Sequence, residues 1–200
     1  MIDPVRFLSN RSSGRLGYAL AAAAQRRGAR VTLISGPTHV PVPRGVTLVP
    51  VQSALDMQRA CRRHAPRAQL IIMTAAVADF RAQKISAHKI KKGTRRTLQL
   101  RLVRTPDLLA ELCRRRRANQ FIAGFALESR ALLAAAQKKI RSKGCDVIVA
   151  NTPDAINAIT QRVTLLWPDG THETLPALTK PQLARALLDR FYGRVVPETI

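Results

Sequence analysis

The run Ser9-Asn10-Arg11-Ser12-Ser13-Gly14 is polar and sharply turning, and an alanine-rich helical stretch, Arg15 to Gly28, follows it at once. A Gly/Ser loop that feeds a helix leaves several backbone N–H groups unpaired and aimed at one point, with the positive end of the helix dipole behind them. That is an anion site, most often for phosphate. Gly14 and Gly17 suit it: one lets backbone approach the anion, the other lets the helix pack close to a strand. Arg6, Arg11 and Arg15 add positive charge around the loop. The plain alternative is a Ser-capped helix with a small-residue packing face. A second stretch of chemical interest is Phe80 to Gly93, long and polar, with Lys84, Lys89, Lys91 and Lys92. A loop of that length inside a compact domain is functional or disordered.

These residues need a frame. The first helix spans about Ser13 to Arg27 and stops at Gly28, a good C′ residue. Arg30–Ser35 and Val46–Val51 read as strands. Ser53 caps a helix from Ala54 to His64 with Leu55, Met57, Ala60 and Cys61 turned inward. Leu70 to Thr74 is a continuous apolar run, as in a parallel strand buried on both faces. Later come a helix from Pro106 to Arg117, a strand from Gln120 to Ala126, a helix from Ser129 to Lys143 closing at Gly144, and a strand from Asp146 to Ala150. Between the two sets, Thr97 to Arg104 alternates Leu98, Leu100 and Leu102 with polar residues, which predicts a half-buried antiparallel strand. Arg162–Trp167, Asp169-Gly170 and Thr171–Leu175 predict a hairpin. Lys180 to Tyr192 is an amphipathic helix with Leu183, Leu187, Leu188 and Phe191 on one side. The pattern predicts an α/β fold, a doubly wound and mostly parallel Rossmann-like sheet with a small antiparallel hairpin extension. Ligands of such sheets sit at the carboxyl ends of strands, where the loops Ala75–Asp79 and Ala150–Asn151 would lie.

The 200 residues suit a single domain, and their 46% hydrophobic content supports a globular class. Lys and Arg number 34 against 12 acids, a net charge of +22. Such a field attracts nucleotides, phosphates and nucleic acid alike. Eight aromatics are too sparse for a single-strand stacking platform, and Arg-rich solvated helix faces explain most of the charge. Nucleic acid is therefore not expected as a partner. Cys61, Cys113 and Cys145 form no CxxC pair and no zinc-like cluster with the histidines, so reduced thiols in a cytoplasmic protein are expected, with no metal held by side chains alone. No run approaches the ~18 apolar residues of a membrane span.

The strings DPVRFLSNRSSGRLG, TAAVADF, HKIKK, TPDLL, GFALES and KKIRSKGCDVIVAN, in this order, resemble the phosphopantothenate–cysteine ligase family from residue 2 to about residue 192. The first string and KIKK carry most of that specificity. The resemblance implies that the carboxylate of 4′-phosphopantothenate attacks the α-phosphate of CTP, giving an acyl-cytidylate and pyrophosphate. The amine of cysteine then displaces CMP. It implies Mg²⁺ with CTP, a homodimer whose lysine loop reaches toward the partner, and a flavin-dependent decarboxylase on another chain. By the same resemblance, Lys89 neutralises the triphosphate, Asn10 handles the intermediate, and Arg6 belongs to the same catalytic loop. Met73, Thr74, Ala75 and Asp79 match the nucleotide loop, and Pro106, Asp107, Leu108 and Leu109 put a helix start near it. Phe125 would cover cytosine or ribose, and Lys139 and Lys143 would bind the triphosphate. Asn10, Ser13, Gly14 and Ala76 would meet the phosphopantothenate.

The chain departs from the family in two places. Relatives carry a strand and a Gly-Gly-Thr turn just before DPVR, and the sequence opens at Met1-Ile2 without them, which would expose sheet edges. Thr152 to Gln161 also lacks the usual glycine-rich stretch. Two other readings stay open at this level. Ser13-Gly14-Arg15-Leu16-Gly17 also suits an NAD(P)-dependent reductase, although neither Tyr18 nor Tyr192 has a lysine four residues on. A non-catalytic homologue binding nucleotides or nucleic acid through charge alone is the other.

Overall fold

The computed structural model describes residues 1–94, 96–128, 131–152 and 158–195. Nine strands, five α-helices and one short 3-10 turn, Ala65–Arg67, occur among them: α1 Arg15–Arg26, β1 Thr32–Ser35, β2 Thr47–Pro50, α2 Ala54–His64, β3 Leu70–Met73, β4 Phe80–Ala82, β5 Leu102–Arg104, α3 Leu108–Arg114, β6 Phe121–Leu127, α4 Leu132–Lys143, β7 Val147–Asn151, β8 Thr160–Leu166, β9 His172–Thr179 and α5 Lys180–Val195. The main sheet runs β3-β6-β7-β8-β9. Its β3-β6-β7 part is parallel, and β8 and β9 continue it antiparallel. This is the mostly parallel α/β architecture expected.

Period-two alternation on β6 and β7 divides the core. Phe121, Ala123, Val147 and Val149 face α1 and α5, where Leu183, Leu187, Leu188 and Phe191 are wholly buried. Ile122, Ala126, Ile148 and Ala150 face α3 and α4. Successive strand residues point to opposite faces, so both must be apolar in a strand covered on both sides. The second helix is fixed at its start by a capping box: Ser53 Oγ accepts from the Asp56 N–H, and Asp56 accepts from the Ser53 N–H. Such a cap contributes about 1 kcal/mol.

The hairpin β8–β9 extends the parallel part of the main sheet antiparallel, as expected, and β4–β5 is a separate small antiparallel pair. Three features differ from expectation. Of the stretch Thr97–Arg104 only Leu102–Arg104 forms a strand, and Leu98, Leu100 and Leu102 are 49%, 38% and 43% exposed, because no layer among the described residues covers them. The run Leu70–Met73 is half-buried throughout, since β1 and β2 pair only with each other and the outer edge of β3 stays open. The helix predicted over Pro106–Arg117 is shorter, capped by Asp107 and finished before the arginine run ends. Ser129, placed at a helix start by the sequence, and residues 153–157, half of the Thr152–Gln161 stretch, lie outside the described residues.

Candidate functional site

The loop Ser9–Gly14 enters α1 at the carboxyl ends of the parallel strands. Gly14 is the residue before the helix, at φ 73, a left-handed conformation that a side chain resists. A Cβ on Gly14 would meet Thr38 Oγ1 at 3.4 Å, and that hydroxyl donates to the Ser13 carbonyl at 2.9 Å. A Cβ on Gly17 would lie 2.8 Å from Thr74 Oγ1, so its absence lets α1 sit directly on the end of β3. Gly14 at the cap offers no side chain, the first turn holds no acid, and the Arg15 N–H makes one long bond to Ser13 Oγ at 3.5 Å. The next N–H groups of the first turn are left for solvent or a ligand.

Asn10 Nδ2 donates to the Val77 carbonyl at 3.4 Å, which joins this loop to Thr74–Asp79. Asn10, Ala75, Ala76 and Asp79 are exposed, while Met73, Thr74, Ser13 and Gly14 are half-buried. The lysine loop returns to the same region. Arg6 donates to both Asp3 Oδ2 and the Ile90 carbonyl, the latter at 2.7 Å, so Lys89 stands beside a fixed backbone point. Lys89 itself is exposed, with no ion pair among the described residues.

A second group lies at the start of α3. Asp107 Oδ1 accepts from the Ala110 N–H at 3.0 Å, and its other oxygen pairs with Lys143. Burial pushes the Asp107 carboxyl up, but the Lys143 ammonium, the Ala110 N–H and the Lys139 charge together hold it below the usual range. Lys139 Nζ donates to the Phe125 carbonyl at 3.2 Å. Pro106 precedes the cap. Leu108 and Leu109 are buried in the core, which leaves only their backbone for a ligand. The Phe125 ring packs on the α1/α5 side of the sheet, opposite α4, so only its carbonyl meets the lysines.

The structure thus joins Asn10 to the Thr74–Asp79 loop and Arg6 to the lysine loop, and separately gathers Asp107, Lys139 and Lys143. Asp3 and Thr38 had no role assigned from sequence. Asp3 was visible only as part of the DPVR string, and Thr38 only as part of a Gly-Pro loop after β1.

The chain matches, over residues 1–193, the family described as DNA/pantothenate metabolism flavoprotein C-terminal domain. It belongs to that family. The coenzyme A biosynthesis bifunctional protein CoaBC of Vibrio cholerae is 40% identical over 192 residues, covering 94% of this chain and 48% of that protein. The Bacillus subtilis protein of the same name is 42% identical over 192 residues, with 94% and 47% covered. The chain spans about half the length of the curated relatives it matches. A crystal structure of the C-terminal domain of a CoaBC protein superposes with a TM-score of 0.80 at 40% identity, covering 94% of this chain and 86% of that one. A Cab2 variant crystallised with phosphopantothenate-cysteine shares the fold of this family member at TM-score 0.74 and 17% identity, covering 95% and 82%.

Proposed function

We propose that this chain performs the synthetase step of coenzyme A biosynthesis, ligating cysteine to 4′-phosphopantothenate at the expense of CTP. The observation that carries the reading is the Asn10–Val77 contact, which seats the anion-binding loop against the Thr74–Asp79 loop with the lysine loop alongside. In the first step a carboxylate oxygen bonds to the α-phosphorus of CTP and pyrophosphate leaves. In the second the cysteine amine bonds to the acyl carbon, CMP leaves and the amine loses a proton. Both steps gather negative charge and ask the protein for position and cations. The α1 N-terminus, Lys89, Lys139 and Lys143 supply positive potential, and the Asn10 amide supplies a donor near the mixed anhydride. Lys143 would exchange Asp107 for phosphate.

Mg²⁺ fits as a guest of the nucleotide. Among the described residues no group of three His, Cys, Asp or Glu side chains could cage a metal. Mg²⁺ commonly uses substrate phosphates, water and one or two carboxylates. The Asp79 carboxylate, exposed on the nucleotide loop, is available for that. When bound, the ion would neutralise the triphosphate and orient it.

The reading includes a homodimer. Phe80, Leu98, Leu100 and Leu102 are exposed along or next to β4 and β5, a group of large apolar side chains that a second copy would cover. The product would pass to a flavin-dependent decarboxylase.

Thermal unfolding with CTP–Mg²⁺ and with ATP–Mg²⁺ tests the nucleotide. A ligand at 100 times its Kd adds about 2.7 kcal/mol, so CTP should raise Tm well above ATP. Pyrophosphate release should require 4′-phosphopantothenate. Equal shifts from both nucleotides, or a larger one from NADPH, would refute the reading.

A further inference from the structure

Asp3 is the one acid of the described chain with no exposed surface, and it lies at a surface loop rather than in the core. Its Oδ1 accepts from the Val5 and Arg6 N–H groups, both at 2.9 Å, which closes a tight turn on itself. Its Oδ2 accepts from Arg6 Nε at 3.0 Å, from the Arg6 terminal nitrogen at 2.5 Å and from the Ile90 N–H at 3.1 Å. The same Arg6 nitrogen donates to the Ile90 carbonyl at 2.7 Å. One carboxylate and one guanidinium thus take both backbone polar groups of Ile90, the residue after Lys89. A further bond, from the Ser86 N–H to the Ile2 carbonyl at 3.0 Å, fastens the same loop a turn earlier.

We propose that Asp3 and Arg6 form a latch that holds the lysine loop against the first loop and so positions Lys89 for the nucleotide. The inference rests on the role given to Lys89 above. Asp3 is a positioning residue: it is occupied at both oxygens and touches no reactant. Arg6, proposed from sequence as catalytic, spends its guanidinium on Asp3 and on Ile90, and acts in the same way. The Arg6 guanidinium holds the Asp3 carboxyl far below the usual range, so the latch stays charged at every working pH.

A latch that only closes the loop makes a specific kinetic claim. When a fraction of molecules holds the competent loop, apparent affinity falls by that fraction, and saturating nucleotide restores the competent state. Asp3→Asn should therefore raise KM for CTP while sparing kcat. Loss of folded protein would instead lower the apparent kcat and leave KM alone. Charge-assisted bonds of this kind correspond to about a 10- to 100-fold change in equilibrium. Amide exchange at Ile90 should accelerate by about that factor, and KM should rise with it.

The test measures Ile90 amide exchange by NMR and pyrophosphate release in parallel, on the full chain, for Asp3→Asn, Arg6→Lys and Lys89→Gln. The expected result is fast Ile90 exchange and raised KM in Asp3→Asn, a partial form of both in Arg6→Lys, and protected Ile90 with lost turnover in Lys89→Gln. Unchanged Ile90 protection in Asp3→Asn overturns the latch. Fast exchange with unchanged KM overturns its link to the nucleotide. Full turnover by Lys89→Gln overturns the assignment of Lys89 itself, and the exchange data would still report the latch on their own.

Discussion

Gly124 lies in β6 with no room for a side chain. A Cβ there would stand 2.6 Å from Leu109 Cδ2, 2.8 Å from Ile148 Cδ1 and 3.4 Å from Leu109 Cδ1. Carbon atoms rest at about 3.5–4.0 Å, so two buried methyl groups must move by nearly an ångström. Leu109 is 7% exposed and Ile148 is 0%, so neither can swing into solvent. Overpacking of this size costs about 1–3 kcal/mol, and replacing Gly by Ala returns about 0.5–1 through a less flexible unfolded chain. With two contacts below 3 Å the overpacking falls in the upper half of its range, about 2–3 kcal/mol, so Gly124→Ala should lose about 1–2.5 kcal/mol, or about 2–10 °C in Tm for a chain of this size. Thermal and urea unfolding followed by circular dichroism would measure it. Leu109→Ala removes both offending Leu109 methyls, so the double variant should be more stable than the summed losses require. Leu109 is also two residues beyond Asp107, so a displaced Leu109 should shift the helix cap and weaken CTP stabilisation. An unchanged or raised Tm in Gly124→Ala, or strict additivity with Leu109→Ala, would refute the packing argument.

Asn10→Ala should let acyl-cytidylate form from CTP and accumulate in the presence of cysteine, seen by mass spectrometry; turnover at the parent rate would contradict the role given to its amide. Glu111 is held by Arg62, Gln58 and Arg115 with its carboxyl at about 2 instead of 4.5, so its contribution is complete above pH 4.5 and is lost as pH falls toward 2. Glu111→Gln should be less stable at neutral pH and show a flatter urea midpoint between pH 4.5 and 2; a curve parallel to the parent's would count against this.

Elements whose signals are local were legible in the sequence. Ser53 with Asp56 marks the start of α2, and Leu183, Leu187, Leu188 and Phe191 mark the inner face of α5. The paired apolar residues of β6 and β7 announce strands covered on both sides. What failed depended on neighbours. The alternating leucines of Thr97–Arg104 carry the pattern of a half-buried strand, yet the pattern does not say which chain covers it. The run Leu70–Met73 is apolar enough for a central strand, but its burial depends on a partner beyond its outer edge. In the site, the anion loop and the lysine loop were readable from composition. The Asp3 hub was not, because its bond to Ile90 joins residues 87 positions apart.

With 34 basic residues against 12 acids, each carboxylate is scarce, and most described ones hold a cation in place. Asp56, Glu111, Asp146, Glu173 and Asp189 pair with arginines on helices or between helix and sheet. At the site the pattern changes. Lys84, Lys89, Lys91 and Lys92 share a loop with no acid among Phe80–Gly93, and the acids that reach the region are already engaged: Asp3 by Arg6, Asp107 by Lys143. The lysine loop therefore keeps its positive charge with no carboxylate of its own, which would draw a triphosphate toward it. Asp79, the exception, is exposed on the nucleotide loop where a bound cation would reverse the sign of its effect. Capture of polyphosphate by the lysine loop should therefore slow steeply with added salt, while the helices, held by their buried apolar faces, should not loosen in step.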